Sequence, residues 1–428
     1  MRDGRREPTA VGDVMALYGA GGPDPAGLAR LYRDLHAHPE PAFGEVRTAG
    51  IAADLLRAAG FETVTGIGGT GVAGVLRNGP GPTVLLRADM DALRLRERTG
   101  LPYASEADAP DPDGGRSPLM HACGHDMHVA CLAGAAGLLA AGRRHWRGSV
   151  LAVFQPAEEI GAGARAMLDD GLYDRFGVPD VVLAQHVFPL EAGRLVLRPG
   201  LVLGATETTE VTLPGRGAHG SQPERAIDPV LMAASAVVRL QGVVAREVAP
   251  DEQAVLTVSR LRAGLAENVI PDHASLTLNA RAFDDAVLRR VVAAARRIID
   301  AEAAASGAPR PPAYRTLSTF PSTTNDPDAA DALAAAFTAR FGADRVGPMD
   351  RLIGSEDVGH FATAAGAPLV FWGLGATAPG PHPAPEGEGE PAGNHSPFFA
   401  PAIEPTLSTG VEALTTAALS RLSPADPA

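Results

Sequence analysis

Cysteine is almost absent: the chain of 428 residues has two, Cys123 and Cys131. No disulfide framework can organise such a chain, and a reduced, cytoplasmic setting is expected. Long apolar runs are missing as well. None approaches the roughly 20 residues that a membrane-spanning helix needs. The start of the chain is polar and mixed in charge, with no apolar segment beside it to make a signal peptide. Basic charge is in deficit, 37 Lys and Arg against 50 Asp and Glu, for a net charge of -13. That balance argues against nucleic acid and against anionic membrane surfaces as partners. What remains is a globular composition, 45% hydrophobic and 20% charged. The length is too great for one small core and predicts two domains.

Residues 1–25 read as a loose tail. Residues 28–60 read as two helices joined by a polar loop, His36-Ala37-His38-Pro39-Glu40, whose imidazoles fit a solvated loop as well as a functional one. Short apolar segments follow at 72–76, 83–86, 149–154, 181–184 and 368–372. Strands this apolar are buried on both faces, as in a sheet covered by helices. Between 204 and 322 the texture changes to strand 206–213, helix 227–244, strands 254–261 and 274–283, helix 285–305 and strand 313–320. That order is the split βαβ, ferredoxin-like pattern of a small separate domain. The expected fold class is α/β: a mixed sheet covered by helices, discontinuous over 26–203 and 323–428, with an inserted α+β domain over 204–322. A Pro/Gly/Glu-rich stretch at 379–393 reads as a loop.

The densest chemistry is Met120-His121-Ala122-Cys123-Gly124-His125-Asp126-Met127-His128, with a thiol, three imidazoles and a carboxylate in nine residues. It precedes an apolar, small-residue segment, 129–141, that reads as a buried helix. Thiolate, imidazole and carboxylate are the ligands of zinc-like ions. Alone, the cluster fits a metal site and an inert thiol among solvated histidines equally well.

The strand ends shift that balance. In open α/β sheets ligands bind outside the carboxyl ends of the strands. Behind 83–86 come Arg87, Asp89 and Asp91; behind 149–154, Gln155, Glu158 and Glu159; behind 181–184, Gln185 and His186. Beyond the last strand comes Asn394-His395-Ser396-Pro397. Any one of these is an ordinary polar exit, but together they bring metal-ligand types to one edge. Adjacent carboxylates directly after a buried strand point different ways. One of Glu158 and Glu159 can therefore ligate while the other faces a bound water as general base. Cys123, His125, Glu159, His186 and His395 are too many for one tetrahedral ion and suit two ions about 3.5–4 Å apart, bridged by water.

Read in order, the motifs are His38-Pro39-Glu40, Arg87-Ala88-Asp89-Met90-Asp91-Ala92-Leu93, Met120-His121-Ala122-Cys123-Gly124-His125-Asp126, Phe154-Gln155-Pro156-Ala157-Glu158-Glu159, His186-Val187-Phe188-Pro189, Gly215-Arg216-Gly217-Ala218-His219, Asn268-Val269-Ile270-Pro271, Gly354-Ser355-Glu356-Asp357 and His395-Ser396-Pro397. Over roughly residues 28–422 the chain thereby resembles the amidohydrolase branch of the aminoacylase/carboxypeptidase superfamily of two-metal hydrolases. Hippurate hydrolases, bacterial N-acyl-amino-acid amidohydrolases and plant auxin-conjugate hydrolases belong to that branch. The resemblance implies that Cys123, His125, Glu159, His186 and His395 hold two divalent ions (zinc, manganese, cobalt or nickel), with Glu158 as the base. Asp89 stands where relatives keep an aspartate that orients a metal-site residue. The inserted domain becomes a lid and homodimer surface. His219 corresponds to a histidine that reaches the partner's site and stabilises the oxyanion. Asn268 and Arg281 match substrate-contacting lid positions, Arg281 as a clamp for a carboxylate. Gly354 to Asp357 would shape the floor of the site.

Two departures stand out. Arg94 follows Asp-Ala-Leu where the family usually has proline. Arg87 occupies the position from which other branches take a histidine ligand, which favours the cysteine-using branch. The implied substrate is a small molecule, an N-acyl or N-aroyl amino acid hydrolysed to a carboxylic acid and a free amino acid. An aminopeptidase or dipeptidase with the same chemistry, and a metal-binding protein without catalysis, are the competing readings.

Overall fold

A computed structural model describes residues 10–111, 114–378 and 392–425. The loop expected at 379–393 falls almost wholly outside the described residues. The chain divides into two compact units, Met1–Val202 with Thr324–Asp350 and Asp357–Ala428, and Leu203–Thr323 with Arg351–Glu356.

The first unit is built on a mixed sheet. From one edge its strands run Glu62–Ile67, Gly71–Asn78, Trp146–Gln155, Thr83–Asp89, Val181–Glu191, Leu369–Thr377, Leu195–Leu197 and Val346–Pro348. The third to sixth of these are mutually parallel. Their sequences are nearly continuous in Val, Leu, Ala and Phe, and Val84, Leu85, Leu86, Val150, Leu151 and Val153 are all fully buried, as parallel strands covered on both faces must be. The register places Asp89 beside Gln155 and Gly373 beside His186. The polar strand exits read from the sequence therefore emerge along one edge.

One covering layer centres on the helix His125–Ala141. It is apolar all round and buried, because it packs on the sheet with one side and on Pro25–Ala37, Val46–Ala58 and Ile403–Leu419 with the others. Pro25–Ala37 begins as helices prefer to: the Asp24 carboxylate accepts from the amides of Ala26 and Gly27, and proline stands at the first turn.

The second unit is a four-stranded antiparallel sheet in the order Ala254–Ala263, His273–Ala282, Ala205–Pro214, Ala313–Phe320. The helices Pro229–Leu240, Gly242–Glu247 and Asp285–Ala305 supply Met232, Ala236, Val243, Val291 and Ile299 to its core. This is the expected ferredoxin-like arrangement. Among the described residues no helix is long and apolar enough to cross a membrane.

Three local expectations are corrected. The stretch read as a loose tail contains a helix, Ala10–Met15, whose Val14 is fully buried in the core. The single helix expected over 227–244 is two, parted at Gln241, and the second opens on Gly242, a residue that weakens helix continuation. The polar loop at 36–40 starts later than expected: the helix runs to Ala37, so His36 is a buried helical residue. Only His38 keeps the exposed character, its ring bonded to the Asp34 carbonyl at 2.7 Å.

Candidate metal centre

The helix His125–Ala141 starts at Gly124, which has φ of +79°. A Cβ built there would lie 2.4 Å from Val187 Cγ2, so glycine is obligatory between Cys123 and His125. This turn aims both flanking side chains at the strand ends. Cys123, His125 and Glu159 bring one ligand atom each to within 4.8 Å of one another, as do Asp89, His125, His128 and His186. Cys123 Sγ lies 3.4 Å from His186 Nε2, and His395 Nε2 lies 3.5 Å from Glu159 Oε2. All five residues expected to hold metal thus share one cluster of contacts. Glu158 stands beside it, buried, with Oε2 at 4.0 Å from His125 Nε2.

The tautomers suit ligation. His186 Nδ1 donates to the Val187 carbonyl at 2.8 Å, which leaves Nε2, the atom facing Cys123, with its lone pair. His128 is different. Its Nδ1 bonds Asp89 Oδ1 at 2.5 Å and its Nε2 accepts from the Val187 amide at 2.9 Å. Both its nitrogens are committed, so it braces the site and does not ligate. Asp89, expected to orient a site residue, is held by Arg87 at 2.5 Å and lies 3.6 Å from His125 Nε2. His395 arrives from the far end of the chain with φ of +68°, its amide bonded to the Ala122 carbonyl at 2.8 Å. The Asn394 side chain donates to the Val187 carbonyl at 3.0 Å.

A metal fits this donor set. His125 Nε2 and Glu159 Oε1 are both buried without a hydrogen-bond partner, 3.8 Å apart. Leaving such groups unpaired in a protein interior is costly, and a cation between them removes the penalty. The electrostatics agree. Burial works against a charged His125, yet Asp89, Asp91 and Cys123 outweigh it and hold its pKa well above the usual value. Hydrogen bonds with Cys123 and Glu159 lift His395 to about 10. The cluster stabilises positive charge. His186 is driven well below its ordinary range, by burial first and then by neighbouring His128.

His219, Asn268 and Arg281 lie in the second unit. His219 pairs with Val269 in a short antiparallel ladder, and the Gly220 amide donates to the Asn268 carbonyl at 2.8 Å, so these two exposed residues sit together. Arg281 is apart from them on His273–Ala282, with Nε bonded to Asn279 Oδ1 at 2.8 Å and Nη1 to the Ile353 carbonyl at 3.0 Å.

A sequence pattern described as peptidase family M20/M25/M40 matches residues 85–419. The chain belongs to that family. It is 39% identical over 258 residues to a hippurate hydrolase of Campylobacter jejuni, covering 60% of this chain and 64% of that one. It is 38% identical over 266 residues to an N-acetyl-L-cysteine deacetylase of Bacillus subtilis, covering 62% and 61%. The matched stretch therefore spans a little under two thirds of either relative. Among solved structures, a dinuclear metal-binding M20 peptidase of Bacillus subtilis superposes with a TM-score of 0.70 at 29% identity, covering 92% of this chain and 97% of that one.

The sequence does not reveal the partners of several residues of this M20 centre, although Asp91 reads as a strand exit and Asp357 as part of the floor. Asp91 accepts the backbone amides of Glu158 at 3.1 Å and Glu159 at 2.9 Å and faces His125 Nδ1 at 3.3 Å. Asp357 takes Gln155 Nε2 at 2.6 Å and the Ala164 amide at 3.1 Å. His36 binds Asp126 Oδ2 at 2.6 Å and Glu97 Oε1 at 3.1 Å, all three side chains fully buried. Their presence in motifs was the available signal; their partners were not readable.

The His36 cluster makes a pH prediction. Burial opposes its charge, but Asp126 and then Glu97 prevail and raise its pKa from 6.5 to about 10. The folded state binds this proton more tightly than the unfolded one. The contribution of His36 to stability is therefore full below pH 6.5 and is lost as pH rises through 10. The difference in urea unfolding free energy between the parent and His36→Gln should shrink across that window. A constant difference would refute the ion pairing.

Proposed function

We propose that this M20 chain is a two-metal amidohydrolase that cleaves the amide bond of N-acyl or N-aroyl amino acids, releasing a carboxylic acid and a free amino acid. The observation that carries this reading is the gathering of Cys123, His125, Glu159, His186 and His395, with the separate buried carboxylate of Glu158 at their side. The names of the relatives agree, since hippurate and N-acetylcysteine are both N-acyl amino acids.

Cys123, His125, Glu159, His186 and His395 would hold the ions. Such ions polarise a carbonyl and lower the pKa of water. Glu158 takes the proton of the attacking water and delivers it to the leaving amine. Arg87 and His128 keep Asp89 ionised and oriented, which maintains the negative field that the ligands need. His219 Nδ1 accepts from the Ser221 amide at 3.1 Å, so the neutral ring carries its proton on Nε2, where it can donate to an oxyanion. That donation is assigned to the site of a partner subunit in a homodimer formed through the inserted domain. Asn268 contacts the substrate and Arg281 its carboxylate. Thiolate and imidazole favour zinc, with manganese, cobalt and nickel as alternatives. The scarcity of cysteine supports a cytoplasmic setting.

The test is metal analysis of the purified protein followed by a panel of N-acyl amino acids and unblocked dipeptides. Hippurate or an N-acetyl amino acid should be hydrolysed, and chelation should stop it. Preference for an unblocked dipeptide would turn the reading to an aminopeptidase or dipeptidase, in keeping with the related structure described as a peptidase. No turnover by the metal-loaded protein on any substrate of the panel would defeat both. Cys123→Ser should bind less metal than the parent; a full complement would remove Cys123 from the ligand set.

A further inference from the structure

The turn that carries Glu158 and Glu159 is held by its backbone. As the chain leaves the strand Trp146–Gln155, three consecutive amides meet buried carboxylates. Ala157 N donates to Glu45 Oε1 at 2.9 Å, Glu158 N to Asp91 Oδ1 at 3.1 Å and Glu159 N to Asp91 Oδ2 at 2.9 Å. Successive amides converge on anions only when the backbone curls into a nest. Ala157 supplies the curl with φ of +50°, a conformation that residues with a Cβ rarely adopt. Such a residue keeps its conformation only where its surroundings over-determine it.

Glu45 is what over-determines it. It is fully buried and lies 112 positions before Ala157 in the sequence. The oxygen that takes the Ala157 amide also takes the Phe43 amide at 3.0 Å, and Phe43 is itself at φ +59°. The other oxygen takes the Thr70 hydroxyl. One carboxyl group therefore ties the Glu158 turn to the segment before the helix Val46–Ala58 and to the turn at Thr70. Asp91 cannot take over this task, because its two oxygens are spent on the next two amides and on the side of His125.

We infer that Glu45 is a positioning residue that aims the Glu158 carboxylate by clamping the Ala157 amide, touching neither substrate nor metal. The inference rests on the reading of Glu158 as the base. Without Glu45 the Ala157 backbone relaxes to negative φ. The peptide entering Glu158 then rotates, and the side chain swings while Asp91 keeps its hold beyond it. Misplacement of a reacting group by about 1 Å is enough to lose about 100-fold in rate.

The experiment compares metal-loaded Glu45→Ala, Glu45→Gln and Thr70→Val with the parent in kcat, KM, metal content and crystal structure. In Glu45→Ala, kcat should fall about 100-fold with KM and metal content near those of the parent. The crystal structure should show Ala157 at negative φ and the Glu158 carboxylate displaced. Glu45→Gln keeps an oxygen for the two amides and should restore most of kcat. A parental kcat in Glu45→Ala, an equal loss in Glu45→Gln, or an unmoved Glu158 carboxylate would each overturn the inference. If Glu45→Ala does not fold, Thr70→Val loosens the same carboxyl group from its far side. It should lower kcat by a smaller factor at constant metal content, and an unchanged kcat there overturns the inference too. The double variant Glu45→Ala/Glu158→Gln should be no slower than Glu158→Gln alone; a further loss shows that Glu45 acts elsewhere. Activity retained in Glu158→Gln defeats the assignment of the base instead, and the crystallographic comparison still decides whether Glu45 sets the turn.

Discussion

Glu158→Gln should retain its metal and lose about three orders of magnitude in kcat, within the span expected for removal of a general base. The substitution is nearly isosteric, but an amide cannot take a proton from water. The turn itself is gripped through backbone amides by Asp91 and Glu45, which the substitution leaves in place. The tight ligand group is made by Cys123, His125 and Glu159 without it. Metal content by mass spectrometry should match the parent while hydrolysis of an N-acyl amino acid collapses. A variant within tenfold of parental kcat would end the assignment, and one that loses both metal and activity would move Glu158 into the ligand set.

Arg87→Leu should be the most destabilising single change in the interior of the first unit, by about 3–5 kcal/mol, the usual penalty for breaking a buried ion pair from one side. Arg87 is almost completely buried between strands. Its guanidinium donates to Asp89 at 2.5 Å, to Gln155 at 2.9 Å and to Asp357 at 3.4 Å. Leucine matches part of the volume and none of the charge, so Asp89 and Asp357 stay buried and short of positive neighbours. Burial already presses the Asp89 pKa upward, and Arg87 first, then His125 and His128, hold it well below the usual carboxylate range. Arg87→Lys should recover little, because a single ammonium cannot reproduce a fork with three directions. Urea unfolding of the metal-free proteins measures the difference, and a loss under 1 kcal/mol would show that the network tolerates the missing charge.

The parts of this molecule that were legible in the sequence are those where one residue type reports its own environment. Runs such as Val84 to Leu86 can only be covered strands, and the polar residues behind them can only emerge at strand ends. The alternation of strand and helix over 204–322 gives the inserted unit its fold because each element has an apolar face of the right period. His36 was not legible. Its loop-like neighbours hide a helix that continues two residues further, and its partners Glu97 and Asp126 are 61 and 90 positions away. The same holds for Asp91, Glu45 and His128. Asp91 and His128 were visible as polar residues in a motif and Glu45 was not singled out at all, and what each does depends on hydrogen bonds to backbone amides that no local pattern encodes. The break at Gln241 and the short helix Ala10–Met15 were not legible because short helices are decided by what they pack on.

Gly124 limits how this site could change. With Val187 pressed against the place where a side chain would start, the residue between Cys123 and His125 has no freedom to drift. Evolution, or an engineer seeking another metal preference, would have to leave that hinge alone.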